Sequence, residues 1–481
     1  MDQAPSSLRE YVREEMMMNS RIIIKGGKAV NDSGCMPADL FIEGEKIKAV
    51  GLPGAFEKEV VDEVIDAHDK FVLPGLIDVH VHLNSPFMGT VTLHDYRNGT
   101  IAAAYGGVTT LIDFSTQPKG GSLMKNLEQK EEEARGKAYI DWSMHGILLD
   151  ASEQTLTEIP QLIEAGVPSY KCFTTYRHAG RMMDDNGILK VLDVTARHGG
   201  MLMFHCENDA IIEYHLQRNL SAGHQDAIYH ARSRPASAEN VAIQRVVDLM
   251  REVTARVYIV HTSTAESAQI IHAAQALGLP IHSETCPHYL TLTEEKLSGP
   301  NGTFYICSPP LRTSKDVDSL WGALANNCIE VVSSDDSGLP SADRIRLSEG
   351  RFDKVPSGMP GIEPRLAILY TEGVWKGRIS LSQLIATTAT NPARLFGLYP
   401  RKGHLSPGAD ADVVIFDPQP EWIMSAKTLH MNTDFCPFEG WQIKGRVESV
   451  LSRGAYVIRD GVLVGEAGKG RRVFRRLQFP I

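Results

Sequence analysis

The stretch Asp78-Val-His80-Val-His82, which directly follows the apolar run of residues 71–77, carries the strongest chemical signal in this chain. Alternate side chains of an extended strand share one face, so Asp78, His80 and His82 point together while the two valines pack. Two imidazoles fixed on one strand supply half of a zinc site. Two structural histidines in a core would give the same pattern, so the rest of the chain has to decide.

Other polar residues recur at corresponding positions, within or just after strand-like runs. They are Lys171, His205, His261 and Asp335. If these strands belong to a (β/α)8 barrel, their carboxyl ends meet on one rim, where such folds carry their chemistry. The repetition at one topological position favours a shared metal site over a set of unrelated structural residues.

Lys171 does not fit a metal site in its usual form, because an ammonium group repels cations. An exposed or salt-bridged lysine is the simpler interpretation. The chemical alternative is an amine that burial near metals deprotonates and that captures carbon dioxide to become a carbamate. A carbamate carries a negative charge and two oxygens, so it can bridge two cations.

The elements that must position these residues are short β-branched runs alternating with helical patterns. The runs that predict strands are 76–82, 108–114, 141–149, 167–173, 201–206, 257–263, 280–284 and 329–334. A helix is expected within 263–278, between Ser/Thr and Gly caps. Eight βα units predict an α/β fold of the TIM type. A doubly wound open sheet is the alternative, although the first strand lacks a Gly-rich dinucleotide turn.

All-β ends flank this middle and predict a second, smaller domain. We expect a β-sandwich built from residues 21–72 and 405–465, a catalytic barrel over 73–404 and a C-terminal tail over 466–481. The arginine pairs at 471–472 and 475–476 indicate that the tail lies on a surface or on a neighbouring subunit.

The composition narrows the class of protein. With 481 residues, 43% of them hydrophobic, the chain can bury a large core and exceeds the usual size of one compact domain. A net charge of -10 argues against binding to nucleic acid or an anionic membrane, and no apolar stretch is long enough to span a bilayer. Seven scattered cysteines without a Cys-x-x-Cys, and a charged start that is no secretory signal, favour the cytoplasm.

Longer motifs carry a resemblance to a known family. They include Pro74-Gly-Leu-Ile-Asp-Val-His-Val-His-Leu83, Gly106-Gly-Val-Thr-Thr-Leu-Ile-Asp-Phe114, Ser169-Tyr-Lys-Cys-Phe173, His205-Cys-Glu-Asn208, Glu284-Thr-Cys-Pro-His-Tyr289, Cys307-Ser-Pro-Pro-Leu-Arg312 and Gly408-Ala-Asp-Ala-Asp412. From Arg21 to the tail the chain resembles the amidohydrolase superfamily and, within it, the D-hydantoinase and dihydropyrimidinase family of cyclic amidases.

The resemblance implies a binuclear zinc centre in each subunit. N6-carboxylated Lys171 and a hydroxide would bridge the two ions, one held by His80, His82 and Asp335 and the other by His205 and His261. The hydroxide would attack a ring carbonyl, and Asp335 would pass its proton to the leaving ring nitrogen.

The family also implies how the substrate is held. Tyr176 would donate to the developing oxyanion, and Ser308 and Ser357 fall where backbone groups hold the cyclic imide. The implied reaction opens 5-substituted hydantoins or dihydropyrimidines to N-carbamoyl amino acids. A small cyclic ureide or imide is the only partner implied besides further copies of the chain in a homotetramer.

Departures from the family pattern weaken the inference of the substrate more than the inference of the reaction. Ser357 replaces the usual Asn, Asp336 replaces a His, Gln or Asn, and Asn84-Ser85 replaces an acidic residue and a methionine. His-x-His-x-Asn is similar to allantoinase, which does not usually have Tyr176. Dihydroorotase would carry an arginine just past His82, and scaffold homologues have lost the metal ligands that are intact here.

Two loops are expected to set which ring substituents are accepted. Residues 84–92 and 173–183 combine apolar Phe87, Met88, Phe173, Met182 and Met183 with polar Ser85, Arg177 and His178. An apolar wall accepts a substituent by excluding water, so aromatic or alkyl groups at the 5-position should be tolerated.

Overall fold

The computed structural model describes residues 20–478, so the interpretation of the chain start as no secretory signal concerns residues outside this range. Seven short strands come first. They are β1 (Arg21–Lys25), β2 (Lys28–Asn31), β3 (Gly34–Pro37), β4 (Asp39–Glu43), β5 (Lys46–Gly51), β6 (Glu63–Asp66) and β7 (Phe71–Pro74). Apolar β-branched runs such as Ile22-Ile-Ile24 suit a pleated, half-buried surface.

The middle of the chain forms an eight-stranded sheet whose neighbouring strands are all parallel. Its first strand, β8 (Leu76–Val81), is followed by a short hairpin, β9 (Pro86–Phe87) and β10 (Thr90–Val91). The other seven are β11 (Val108–Thr116), β12 (Asp141–Ile147), β13 (Ser169–Phe173), β14 (Met201–His205), β15 (Val257–Ile259), β16 (Ile281–Thr285) and β17 (Val331–Val332). Each of the eight predicted runs overlaps one of these strands, so the parallel α/β sheet is confirmed.

The order of the strands argues against a doubly wound sheet. Their order in space follows their order in the chain without reversal, whereas a doubly wound sheet reverses at a switch point. A parallel bridge joins Val81, at the end of β8, to Asp336, just after β17. Arg365 donates to the carbonyl oxygens of Ile77 at 3.1 Å and Val332 at 2.7 Å, one from each of these strands. The first and last strands are therefore connected, consistent with a TIM-type barrel.

Helices alternate with these strands. They are α1 (Asn98–Tyr105), α2 (Leu123–Ala134), α3 (Glu153–Glu164), α4 (Asp185–His198), α5 (Asp209–Ser221), α6 (Ile228–Ser233), α7 (Ala236–Val253), α8 (Ala265–Ala276), α9 (Pro287–Thr291), α10 (Ser314–Ala325), α11 (Ser341–Ser348), α12 (Arg365–Ile368), α13 (Leu381–Ile385) and α14 (Asn391–Leu395). Short 3-10 turns cover Glu294–Ser298, Gly302–Tyr305 and Phe352–Lys354, and π-helical turns cover Leu369–Trp375 and Ala386–Thr390. The expected cap is present where the Thr264 side chain accepts the Ser267 N–H at the start of α8. None of the helices among residues 20–478 has the length and apolarity to cross a membrane.

Both ends of the chain contribute to the flanking β structure. The late strands are β18 (Val413–Ile423), β19 (Gln442–Ser452), β20 (Ala455–Arg459) and β21 (Val462–Leu463). One sheet has the order β5-β4-β1-β6, and a seven-stranded sheet has the order β21-β20-β19-β18-β7-β2-β3. Buried Ile24, Leu40, Val72, Val413 and Leu451 pack in one cluster. The prediction that early and late strands share β structure is confirmed at this level.

The C-terminal tail packs against the parallel sheet of its own chain. Arg472 forms a parallel bridge with Trp142. Arg475 is completely buried and donates to the hydroxyls of Ser143 at 2.8 Å and Ser169 at 3.0 Å. Arg475 therefore does not lie on a surface as the arginine pairs suggested, because these hydroxyls satisfy its guanidinium inside the fold.

Candidate metal centre and substrate pocket

The six predicted metal ligands lie along one edge of the parallel sheet. His80 is in β8 and His82 follows it, Lys171 is in β13, His205 ends β14, and His261 and Asp335 follow β15 and β17. In-register pairing of β13 with β14 sets Phe173 opposite His205 and fixes the relative height of these strands. Because the strands are parallel, their carboxyl ends meet at one rim.

Three of these residues surround one point. Oδ1 of Asp335 lies 3.1 Å from Nε2 of His80 and 3.6 Å from Nε2 of His82. One possible ligand atom from each residue lies within 4.8 Å of the other two. Two imidazoles and a carboxylate form a donor set that zinc accepts, so this group could hold a metal ion.

The other three predicted ligands adjoin this group. The ring centroids of His205 and His261 are 4.6 Å apart, and those of His80 and His261 are 5.6 Å apart. Nζ of Lys171 lies 2.9 Å from Nε2 of His80. The structure therefore brings all six residues together.

His261 tests whether these residues fit a metal. It is only 1% exposed, yet neither of its ring nitrogens has a hydrogen-bond partner. Burial lowers its pKa well below the usual value, which keeps the ring neutral and leaves one nitrogen with a free lone pair. An unsatisfied buried polar group costs about 1–3 kcal/mol, so such a residue is expected to have a ligand. The side chains fit a metal ion.

Lys171 is buried without an anionic partner. It is 2% exposed, its Nζ lies 4.5 Å from the centroid of the Phe114 ring, and among residues 20–478 no carboxylate lies within ion-pair distance of it. Burial lowers its pKa below the usual value for lysine, an effect that the negative charge of Asp335 only partly opposes. This environment increases the fraction of neutral amine over that of an exposed lysine.

Two glutamates that the sequence analysis did not assign orient the histidines. Glu284 contacts Nδ1 of His80 and accepts the Tyr258 hydroxyl at 2.9 Å. Glu207 lies 2.8 Å from Nε2 of His205. Carboxylates behind ligand imidazoles fix the ring orientation and tautomer. The positions of these glutamates within the motifs Glu284-Thr-Cys-Pro-His and His205-Cys-Glu were the sequence signal that could have indicated a role at the site.

The charge of Glu207 is itself fixed by a neighbour. Burial alone would raise the pKa of Glu207, but the Arg234 guanidinium, 2.5 Å away, lowers it to about 2. Glu207 is therefore ionised across the physiological range and accepts from His205. The same guanidinium lies 5.3 Å from the centroid of the Tyr176 ring, so Arg234 supports two of the predicted residues.

A cavity opens onto this edge of the sheet. Eight of the nine predicted site residues line it: His82, Lys171, Tyr176, His205, His261, Ser308, Asp335 and Ser357. The ninth, His80, lies behind Lys171 and contacts it. The hydroxyl oxygens of Ser308 and Ser357, which also line the cavity, are 3.5 Å apart.

Three of the cavity residues have unusual backbone conformations. The φ angles of Tyr176, His261 and Asp335 are +65°, +41° and +49°. Left-handed conformations of residues other than glycine cost of the order of 1–3 kcal/mol and concentrate at functional sites. The fold holds these side chains at the cavity against a local preference.

The wall expected from residues 84–92 and 173–183 is formed in part. Ser85, Phe87 and Phe173 line the cavity. Arg177 and His178 do not, because their side chains are 60% and 81% exposed and pair with Asp209 and Glu213. Arg181, which was not among the polar residues predicted for this wall, lines the cavity instead.

Histidines, a lysine and an aspartate lie at the carboxyl edge of a TIM-type parallel sheet. This arrangement is typical of barrel enzymes that bind metal ions. The amidohydrolase family model matches residues 71–457. A D-hydantoinase of Geobacillus stearothermophilus is 42% identical over 94% of this chain and 96% of the relative, and one of Streptomyces coelicolor is 39% identical over 94% and 97%. The crystal structure of dihydropyrimidinase from Brevibacillus agri NCHU1002 has a TM-score of 0.93 at 41% identity and covers 96% of this chain and all of that one. The chain belongs to the amidohydrolase family.

Proposed function

We propose that this chain is a cyclic amidohydrolase that opens the ring of 5-substituted hydantoins or dihydropyrimidines to N-carbamoyl amino acids. In this reaction a water oxygen bonds to the ring carbonyl carbon. The bond from that carbon to the ring nitrogen breaks, and the nitrogen leaves with a proton. The products of the cleaved amide are a carboxylate and a carbamoyl group on one open chain.

The observation that carries this proposal is identity of 42% over nearly the whole length of a D-hydantoinase. The dihydropyrimidinase with a TM-score of 0.93 supports the same reaction on a six-membered ring. The intact candidate ligand set, with the unpartnered nitrogens of His261, argues against a non-catalytic scaffold.

Two zinc ions are the cofactor of the proposed enzyme. His80, His82 and Asp335 would hold one ion, His205 and His261 would hold the other, and N6-carboxylated Lys171 would supply a further oxygen ligand. When bound, such ions polarise a carbonyl and lower the pKa of water from about 15.7 to about 7. The burial of Lys171 without an anionic partner supports its carboxylation, because burial lowers its pKa and the neutral amine is the form that reacts with carbon dioxide.

Four side chains or backbone segments handle the substrate. Asp335 takes the proton of the attacking water and returns it to the leaving ring nitrogen. The Tyr176 hydroxyl donates to the oxyanion that develops on the carbonyl oxygen. The backbone at Ser308 and Ser357 holds the far side of the cyclic imide. Proximity of Tyr176 to His205, with ring centroids 5.2 Å apart, supports the role given to the tyrosine.

Allantoin hydrolysis is the second candidate function. Asn84, two residues after His82, is the feature that favours it. Tyr176 at the cavity favours cyclic imides instead.

A steady-state comparison on one zinc-loaded preparation tests the proposal. We expect higher kcat/KM for dihydrouracil and 5-substituted hydantoins than for allantoin or dihydroorotate. Tyr176→Phe should lower kcat by about 10²–10³-fold, the cost of losing one donor to an oxyanion. If allantoin has the highest kcat/KM, the substrate assignment is wrong while the metal chemistry stands.

The domain division and the assembly extend the same proposal. Residues 21–72 and 405–465 make one β-sandwich domain, residues 73–404 make the catalytic barrel, and residues 466–481 are a tail. Buried contacts such as Ile24 with the cluster containing Val413 support the first unit. A cytoplasmic location and a homotetramer stay predictions. Light scattering of the purified protein tests the number of subunits.

A further inference from the structure

Arg181 lines the cavity without an anionic partner, whereas Arg177 and Arg234 nearby pair with Asp209 and Glu207. Its guanidinium lies 5.1 Å from the centroid of the Phe87 ring and 5.6 Å from that of Phe173. Among residues 20–478 no carboxylate lies within ion-pair distance of it, and its side chain makes no hydrogen bond to any of them. Arg177, four residues earlier, is 60% exposed and paired with Asp209 at 3.0 Å.

The loop after β13 holds Arg181 beside the reacting end of the cavity. Its backbone N–H donates to the carbonyl oxygen of Tyr176 at 3.1 Å, and a left-handed Gly180, with φ +68°, precedes it. Arg181 and Tyr176 both line the cavity. A substituent on a ring held at Tyr176 would therefore extend into the cavity that the guanidinium lines.

The two aromatic contacts leave the useful part of the guanidinium free. The contacts with Phe87 and Phe173 are cation–π contacts, and the five N–H donors of a guanidinium lie in its own plane and point outward. Burial lowers the pKa of this arginine below its ordinary value, yet guanidinium stays protonated at physiological pH. A fixed cation with unused, coplanar donors is complementary to a carboxylate, which arginine binds through two parallel hydrogen bonds.

Resting on the proposed function, we propose that Arg181 is a specificity-determining residue that selects hydantoins or dihydropyrimidines with an acidic arm. The favoured substrates carry a carboxylate on a short alkyl chain, such as carboxymethyl or carboxyethyl at the 5-position. The stem of the arm lies against Phe87 and Phe173, and the carboxylate meets the guanidinium. The expectation that aromatic or alkyl groups at the 5-position are tolerated rests on apolar residues such as Phe87, Met88 and Phe173 and does not include Arg181. The arginine expected of a dihydroorotase would stand just past His82, and Arg181 lies in a different loop.

A matched pair of substrates tests this selection. Hydantoin-5-acetic acid and its carboxamide have nearly the same shape and differ in charge. We expect kcat/KM to favour the acid by about 10–100-fold, the range for a hydrogen bond to a charged group. In Arg181→Gln the ratio of acid to amide should fall to about one or below, because the cation is gone.

Two further variants sharpen the test. Arg177→Gln, which removes a nearby cation outside the cavity, should keep the ratio of the unmodified chain. Arg181→Glu should reverse the charge preference, so that 5-(4-aminobutyl)hydantoin becomes a better substrate than the acid. Equal rates for acid and amide in the unmodified chain, or the same ratio in Arg181→Gln, would overturn the role of Arg181.

The readouts separate this inference from the proposed function. Hydrolysis of dihydrouracil and 5-methylhydantoin without preference for the acid leaves the proposed function standing and removes the role of Arg181. If no ring is opened, the proposed function fails, and calorimetric titration with the acid and the amide still decides the inference. Tighter binding of the acid that Arg181→Gln abolishes supports it, and equal binding overturns it.

Discussion

Two lysines are buried to the same extent in this molecule and have opposite surroundings. Lys171 and Lys402 are both 2% exposed. Lys402 donates to Asp412 at 2.6 Å and Asp141 at 2.9 Å, with Asp410 at 3.2 Å. Lys171 has the imidazole of His80 at 2.9 Å and the face of Phe114, with no carboxylate at ion-pair distance among residues 20–478.

The two environments change the lysine pKa in opposite directions. Burial lowers the pKa of both ammonium groups, but the charges of Asp412 and Asp141 more than reverse this for Lys402 and raise its pKa. For Lys171 the opposing charges are weaker, and its pKa falls. Burial alone therefore does not define a functional lysine. The difference is between a cation held by three carboxylates and a lysine whose lowered pKa suits the proposed carboxylation.

Replacement of Lys171 should have the largest effect. We expect Lys171→Ala to lose most of its zinc and to lower kcat by about 10⁴-fold or more, which corresponds to roughly 5.4 kcal/mol in the activation barrier. Loss of a metal site that lowers the pKa of water accounts for an effect of this size on hydrolysis. Metal analysis of the purified chain, with about two zinc ions expected in the unmodified protein, and steady-state kinetics measure it.

Isotopic labelling provides the control for that variant. Equilibration with ¹³C-bicarbonate should give a carbamate carbon signal in the unmodified chain and in a Lys402→Arg variant, but not in Lys171→Ala. Full activity in a zinc-loaded chain that lacks the carbamate signal would contradict the role of Lys171.

Replacement of Lys402 should affect stability instead of chemistry. Lys402→Met leaves Asp141 and Asp412 buried without their ammonium partner, and breaking a buried ion pair in this way costs about 3–5 kcal/mol. Denaturant unfolding followed by circular dichroism should show the lower midpoint. Zinc content per folded chain should stay at the unmodified level. A loss of zinc without a loss of stability would mean that the comparison of the two lysines is wrong.

A small carboxylic acid should partly repair the lysine that does chemistry. In Lys171→Ala, acetate or propionate in the assay can occupy the space of the carbamate and supply a bridging carboxylate. We expect a gain of about tenfold in kcat, or roughly 1.4 kcal/mol, with excess zinc present. Acetamide, which has the same shape without the charge, is the control and should give no gain.

The sequence predicts most of the sheet and of the candidate site because both follow a local rule. Residues at strand ends, such as His205 and His261, can be predicted from the pattern of a single chain segment. Residues that act through a partner from another segment cannot be predicted in this way. Glu284 was assigned no role because its contact with His80 crosses 204 positions of the chain.

The orientation of loop side chains also cannot be predicted from the sequence of one segment. Arg177 and Arg181 are both arginines of one loop, and nothing in their spacing tells which of them faces the cavity. The left-handed residues Tyr176 and Gly180 set the direction of the loop, and these conformations are not evident from the residue types alone. The burial of Arg475 depends likewise on Ser143 and Ser169, which lie more than 300 positions away.

The smallest expected effect is that of Lys402→Arg, which keeps the charge and changes the shape of the side chain that contacts Asp141, Asp410 and Asp412. The guanidinium keeps the positive charge and can still pair with Asp141 and Asp412, so no buried carboxylate is left alone. The larger group must fit where the Lys402 side chain is 1% exposed, and overpacking of this kind costs about 1–3 kcal/mol. We expect a loss near the lower end, about 1 kcal/mol, in denaturant unfolding, with unchanged kcat. Lys171→Arg makes the same exchange at the other lysine and should be as inactive as Lys171→Ala, because a guanidinium does not form the carbamate. If both arginine variants behave alike, charge would explain both lysines and the distinction between them would fail.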